Sequence, residues 1–213
     1  MQSSLARLSR FLEDPIDLQS RLLLLASVAL LAVTYFFPLW NLTMFAPQYP
    51  HGLTLDIFNH GFQGGNGGQD VKEINLLNHY IGMRPLETDA FTEFAWMPFA
   101  LGGVGLLLLR AATFATLKEV LDAFAVFVYI AAFSLWSFAQ RLYSYGHELS
   151  GDAPVKVAPF MPPLFGHQRI ANFDVYSYPR PGSYVMTAVA LALLVIVFQT
   201  WRQPRPEIGR AHG

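Results

Sequence analysis

A histidine and a methionine lie four residues apart in the stretch EINLLNHYIGMRP, residues 73–85. On a helix over about residues 71–81 that continued one turn further, His79 and Met83 would project from the same face. Imidazole and thioether donors without a thiolate suit copper. His147 and His167 are the best candidates for a further ligand, so the sequence predicts a copper site of His79, Met83, His147 and His167.

The same residues also allow a structural interpretation. The chain has no cysteine, no H-E-x-x-H motif and no pair of histidines four residues apart, so no zinc site is indicated. A lone histidine is more often a hydrogen-bonding side chain than a ligand, and methionine commonly fills apolar gaps. In this alternative Asn78 and His79 satisfy backbone groups nearby, and Gly82 ends the helix.

The composition is typical of a membrane protein. Of the 213 residues, 53% are hydrophobic and 15% aromatic, and 14 Lys and Arg balance 15 Asp and Glu. This balance gives no indication of a nucleic-acid partner. The glycine-rich stretch GFQGGNGGQD lacks the G-K-[ST] ending of a phosphate-binding loop, so no nucleotide is expected either.

Four apolar stretches are long enough to cross a bilayer, which takes about 20 helical residues. They are residues 22–40, 92–109, 120–140 and 184–201, and charged residues stand only at or near their ends. The sequence therefore predicts an all-α, polytopic membrane protein with a domain of four transmembrane helices over residues 21–202. The absence of charge inside these stretches argues against an ion pump.

Basic residues indicate the orientation, because cytoplasmic flanks are enriched in Lys and Arg. Eight of the 14 basic residues lie in three short flanks: Arg7, Arg10, Arg21, Arg110, Lys118, Arg202, Arg205 and Arg210. Both termini are therefore expected in the cytoplasm, with residues 1–20 as an amphipathic surface helix and residues 203–213 as a tail. Two long segments, residues 41–91 and 141–183, would face outward and pack together as a small cap, since their aromatic stretches are too large to leave in water.

Three blocks in these two segments carry a resemblance to a known family. The blocks are APQYPHGL, EINLLNHYIGM and PPLFGHQRIANFDVYSYP, in this order and separated by apolar spans. In them the chain resembles small bacterial integral-membrane proteins from gene clusters for nitrous-oxide reductase and the maturation of its copper centres. The resemblance implies the bacterial inner membrane, a periplasmic cap and a copper or respiratory context. It supplies no catalytic residues.

The expected function is that of an accessory or assembly protein of a respiratory copper enzyme. It would dock a periplasmic or membrane-bound protein partner and handle copper through His79, Met83 and the neighbouring histidines. The alternative is a non-catalytic structural subunit of a larger membrane enzyme, whose cap binds no metal. An enzyme acting on a small hydrophobic substrate is less favoured, because no nucleophile and base pair or metal triad is evident.

Overall fold

A computed structural model describes residues 12–170 and 172–202. These residues form five α-helices and five β-strands. The helices are α1 (Leu18–Val33), α2 (Gln69–Ile81), α3 (Thr92–Phe114), α4 (Leu117–His147) and α5 (Pro181–Arg202). The strands are β1 (Trp40–Ala46), β2 (Tyr49–Phe58), β3 (Gly61–Gly64), β4 (Gly166–Ile170) and β5 (Phe173–Pro179). The all-α prediction is therefore wrong, and the fold is mixed α and β.

Three helices of the described part are long and apolar enough to cross a membrane. They are α3, α4 and α5, with 23, 31 and 22 residues. Helix α1 is apolar but has only 16 residues, so the prediction of four transmembrane helices is also wrong.

Helix α1 covers only part of the stretch predicted as the first transmembrane helix, residues 22–40. Helix α1 ends at Val33, where the Thr34 hydroxyl donates to the Leu31 carbonyl at 2.6 Å. Pro38 disfavours helix in the residue before it, and strand β1 begins at Trp40. Residues 34–39, which connect α1 to β1, are mostly apolar, so hydropathy does not separate them from the helix. The sequence alone therefore predicted a helical span as far as Trp40.

Strands β1 to β5 form one antiparallel sheet in the order β3-β2-β1-β5-β4. Alternation along β1 places Leu42 and Met44 on the inner face, against the hydrophobic cluster around Leu53, Leu55 and Ile74. The helix predicted over residues 71–81 is confirmed as α2, which packs on this same inner face. The pairing of the strands into one sheet was not predicted from the sequence, which predicted that the two long segments pack together as a cap.

The sheet joins the two long segments between the helices. Strand β1, from the first segment, pairs with β5, from the second, in a register from Trp40 opposite Pro179 to Phe45 opposite Asp174. The two segments do pack together, but through backbone hydrogen bonds between strands. The Leu39 carbonyl also accepts the Arg180 N–H at 2.9 Å, which fixes the sheet to the start of α5.

The opposite end of the helices is closed by the chain that precedes α1. The Ile16 N–H donates to the Ala115 carbonyl at 2.8 Å, and the Leu117 N–H donates to the Asp14 carbonyl at 3.0 Å. Helix α1 then starts at Leu18, where the Asp17 carboxylate accepts the Ser20 N–H at 2.8 Å. Residues 1–11 of the predicted surface helix, and the predicted tail 203–213, lie outside the described residues.

Candidate binding cavity

A cavity of about 500 Å³ lies between the inner face of the sheet and the helices. The sheet contributes residues such as Leu42 and Ile57, α2 contributes Leu77, and the ends of α3, α4 and α5 nearest the sheet close the remaining sides. This volume falls within the range of roughly 300–1,000 Å³ that is usual for small-molecule sites.

The cavity wall is almost entirely apolar. Its hydroxyl groups on α4 and α5 already donate to backbone carbonyls. Ser134 donates to the Ile130 carbonyl at 2.8 Å and Thr187 to the Ser183 carbonyl at 2.9 Å, within their own helices, whereas Tyr145 and Ser183 donate to carbonyls of other segments. Two charged residues line the wall, Glu93 at the start of α3 and Arg141 near the end of α4.

Glu93 and Arg141 form a two-point ion pair. Arg141 Nε is 2.9 Å from Glu93 Oε1, and Arg141 Nη2 is 3.0 Å from Glu93 Oε2. The Ser137 hydroxyl also donates to Glu93, and the guanidinium lies 5.4 Å from the centre of the Phe91 ring. Because each charge compensates the other, the pair can lie in an apolar wall without leaving an unpaired ion.

Asparagines hold α2 in place as one wall of the cavity. The Asn75 amide both donates to the Leu86 carbonyl at 3.1 Å and accepts the Leu86 N–H at 2.6 Å. The Asn78 amide donates to the Arg84 carbonyl at 3.3 Å. Asn75 and Asn78 thus satisfy backbone groups of the chain that follows α2. This is the structural role that the alternative interpretation gave to Asn78.

Asp70 fixes the other end of α2 to the sheet. Its carboxylate accepts the Thr54 N–H at 2.8 Å, the Thr54 hydroxyl at 3.1 Å and the Asn66 amide at 2.7 Å. Burial by itself raises the pKa of Asp70, but the hydrogen bonds from Thr54 and Asn66 outweigh burial and lower the pKa below its ordinary value. These hydrogen bonds therefore attach the start of α2 to strand β2.

The predicted copper ligands stand in different surroundings. Helix α2 ends at Ile81 with Gly82 in the left-handed conformation (φ 80°), so Met83 leaves the helical column of His79. Met83 lines the cavity, whereas His79 is exposed. His147 stacks on Tyr143 with 3.8 Å between ring centres. His167 stacks on Tyr176 and has Nε2 2.9 Å from Asp174 Oδ1.

Two of the four predicted ligands come from chain segments in contact. The Gly82 carbonyl accepts the Ser150 N–H at 2.8 Å, which brings the end of α2, with His79, beside the end of α4, with His147. His167 and Tyr176 are on the outer sheet face, opposite to the face of the cavity and of Met83. Within residues 12–170 and 172–202, no group of three or more His, Cys, Asp or Glu side chains is arranged to hold a metal ion.

The pairing of Glu93 with Arg141 was not predicted from the sequence, in which the two residues only mark the ends of apolar stretches. The signal that could have found the pair is the order of the helices. Two apolar helices joined by a short turn run antiparallel, so the start of the first and the end of the second, with their opposite charges, meet at the same end.

The chain matches no protein-family model, no curated protein and no solved structure. The interpretation of the cavity therefore depends on its own residues.

The first prediction concerns the ion pair in the cavity wall. In a double-mutant cycle of Glu93→Gln and Arg141→Gln, each single change should lower the free energy of unfolding, because it leaves one charge without its partner. The coupling energy between the two changes should be about 1–3 kcal/mol. Denaturant unfolding of the purified protein in detergent micelles measures it.

The matched control is the exposed pair Arg84 and Glu148, whose charged atoms are 3.0 Å apart with side chains 50% and 63% exposed. Its coupling should stay below about 1 kcal/mol. A coupling at Glu93 and Arg141 no larger than that of the control would contradict the structural role given to the pair.

Proposed function

We propose that this protein is a membrane-embedded accessory protein that binds one apolar small molecule between its sheet and its helices. The observation that carries the proposal is the cavity of about 500 Å³, whose wall is apolar apart from one compensated ion pair and a few side chains that donate to backbone carbonyls. Apolar walls with few, well-placed polar groups are typical of sites for small hydrophobic ligands.

The ion pair favours binding over chemistry on the ligand. Glu93 accepts hydrogen bonds from both Arg141 and Ser137, so its carboxylate is already held as a charged acceptor. A carboxylate in that state is a poor general base, because a useful base is poised to exchange its proton near the working pH.

The proposed setting is the bacterial inner membrane with the sheet on the periplasmic side. Arg21, Arg110, Lys118 and Arg202 all lie at the end of the helices away from the sheet, and cytoplasmic ends carry the excess of basic residues. The resemblance to membrane proteins of nitrous-oxide reductase gene clusters supports a periplasmic or membrane-bound respiratory enzyme as the partner served.

A second candidate function is copper handling by the same accessory protein. The contact between Gly82 and Ser150 favours it, because this contact places the exposed His79 beside the helix end that carries His147. Imidazole serves copper in either oxidation state. In this candidate, His79 and His147 are the principal ligands.

The second prediction tests the apolar ligand. Protein purified in mild detergent and analysed by native mass spectrometry should carry a small non-covalent adduct. Ala131→Phe should remove the adduct, because Ala131 lines the cavity and the larger side chain fills it. Ala132→Phe is the control, since Ala132 is exposed and does not line the cavity.

Equal yields of monodisperse protein would show that both variants fold. The proposed function is wrong if the wild type carries no adduct, or if both variants keep it.

The third prediction tests orientation. Single cysteines replacing Gln63 in β3 and Ser150 after α4 should react with a membrane-impermeant maleimide in cells whose outer membrane has been made permeable while the inner membrane is intact. A cysteine replacing Lys118, at the other end of α4, should react only after the inner membrane is made permeable. All three positions are exposed. Reaction of the Lys118 position alone in intact cells would reverse the orientation.

The fourth prediction tests copper. The double change His79→Ala and His147→Ala should reduce the copper retained per protein after Cu(I) loading to the background level. His167→Ala should leave it unchanged, because His167 lies on the other face of the sheet. If the double variant retains as much copper as the wild type while folding equally well, copper handling by these residues is excluded.

A further inference from the structure

The cavity is elongated along helix α4. Its lining residues on that helix recur at helical spacing from Ile130 through Ser134, Phe138 and Arg141 to Tyr145. This stripe extends about 22 Å along the helix axis. A site of this length is suited to an extended chain.

The most exposed residues of the cavity lining lie on α4 and α5. Among the described residues of its lining, Leu135 of α4 and Thr187 of α5 are the two that are exposed at the protein surface, and the Leu135 side chain is 50% exposed. Both belong to helices long and apolar enough to cross a membrane. An opening between these two residues would face the hydrocarbon of the bilayer, next to the sheet end of the helices.

The polar group of the wall carries no net charge. Glu93 takes the Nε and Nη2 donors of Arg141, and Nη1 makes no hydrogen bond to any described residue. A guanidinium has five N–H donors, so Arg141 can still donate to a ligand oxygen. An anionic ligand would compete with Glu93 for the guanidinium and leave a charge uncompensated in an apolar wall.

We propose that the ligand of this cavity is a neutral, single-chain amphiphile of the bilayer, such as a monoacylglycerol, that enters between α4 and α5. Its hydroxyl or carbonyl head accepts a hydrogen bond from Arg141, and its chain lies along the stripe from Phe138 to Ile130. This inference rests on the proposed function and adds to it the class of the ligand and its route.

Trp40 provides a probe inside the site. It lines the cavity and its ring centre lies 5.7 Å from that of Phe138. A variant with Trp96→Phe, Trp136→Phe and Trp201→Phe leaves Trp40 as the one tryptophan, because the chain has 4. The variant is reconstituted in lipid nanodiscs. A bromine atom that enters the cavity then quenches the fluorescence of Trp40.

The fifth prediction concerns the class of the ligand. Dibromostearoyl glycerol should quench Trp40 saturably, and excess unbrominated monooleoylglycerol should reverse the quenching. Dibromostearate, in its anionic form at alkaline pH, should bind at least about tenfold more weakly. Glu93→Gln, which leaves Arg141 as an uncompensated cation, should shift the preference towards dibromostearate. A residue with only a structural role would not change the preference for head-group charge.

The route is tested in the same experiment. Thr187→Phe should weaken quenching by dibromostearoyl glycerol about tenfold, because the larger side chain blocks the opening. Since Thr187 is exposed, the variant is expected to fold. Ala188→Phe is the matched control, since Ala188 is the next residue on the same helix, is exposed and does not line the cavity.

Equal quenching by the neutral and the anionic probe overturns the proposed ligand class. Unchanged quenching in Thr187→Phe overturns the route. In both cases an adduct that is lost in Ala131→Phe still supports the proposed function. Failure of every brominated probe to quench Trp40, together with the absence of any adduct in the wild type, overturns the inference and the proposed function alike.

Discussion

The pairing of β1 with β5 is the interaction on which the rest of the structure depends. It joins strands from two chain segments that are separated by α3 and α4. Without it the sheet would divide into β1 to β3 and the hairpin β4 to β5, and an isolated two-stranded hairpin is marginally stable at best in water. Because Leu39 and Arg180 are hydrogen-bonded beside this pairing, the sheet is held close to the start of α5 and lies across one end of the helices.

The cavity follows from this arrangement. One face of the sheet and the sheet ends of α3, α4 and α5 are apolar surfaces of different shape, and their side chains line a space that they do not fill. Helix α2 closes another side, where Asp70 fixes its start to β2 and Asn75 fixes the chain that follows it. Buried polar groups with all partners satisfied give a wall that keeps its shape.

The ion pair of Glu93 and Arg141 allows this space to remain apolar while providing one polar point. Each residue alone would be an expensive charge near the membrane, and together they compensate one another. A neutral pair with a spare donor distinguishes ligands by their head group, because it accepts a hydrogen-bonding oxygen without attracting an anion. The proposed functions of binding and selection by charge therefore have the same physical origin.

The sequence by itself determined the parts of this protein that depend on local composition. Long apolar runs predict the membrane character and the three apolar helices α3 to α5. The spacing of residues such as Ile74 and Leu77 predicts helix α2. Both signals come from residues that are close together in the sequence. Copper binding by His79, Met83, His147 and His167 stays a prediction, because residue types indicate possible donors but leave their positions open.

Only the tertiary structure decided that strands β1 to β5 pair into one sheet, that Met83 faces the cavity and that Glu93 meets Arg141. Strands depend on partners distant in sequence: Trp40 looks like the end of an apolar helix until Pro179 is found opposite to it. The cavity depends on distant elements as well, since each wall residue looks like an ordinary core or lipid-facing side chain when taken alone. The hydrophobic pattern of a sequence specifies which faces of its helices and strands are buried. Only the packing of these faces against each other shows where a cavity remains between them.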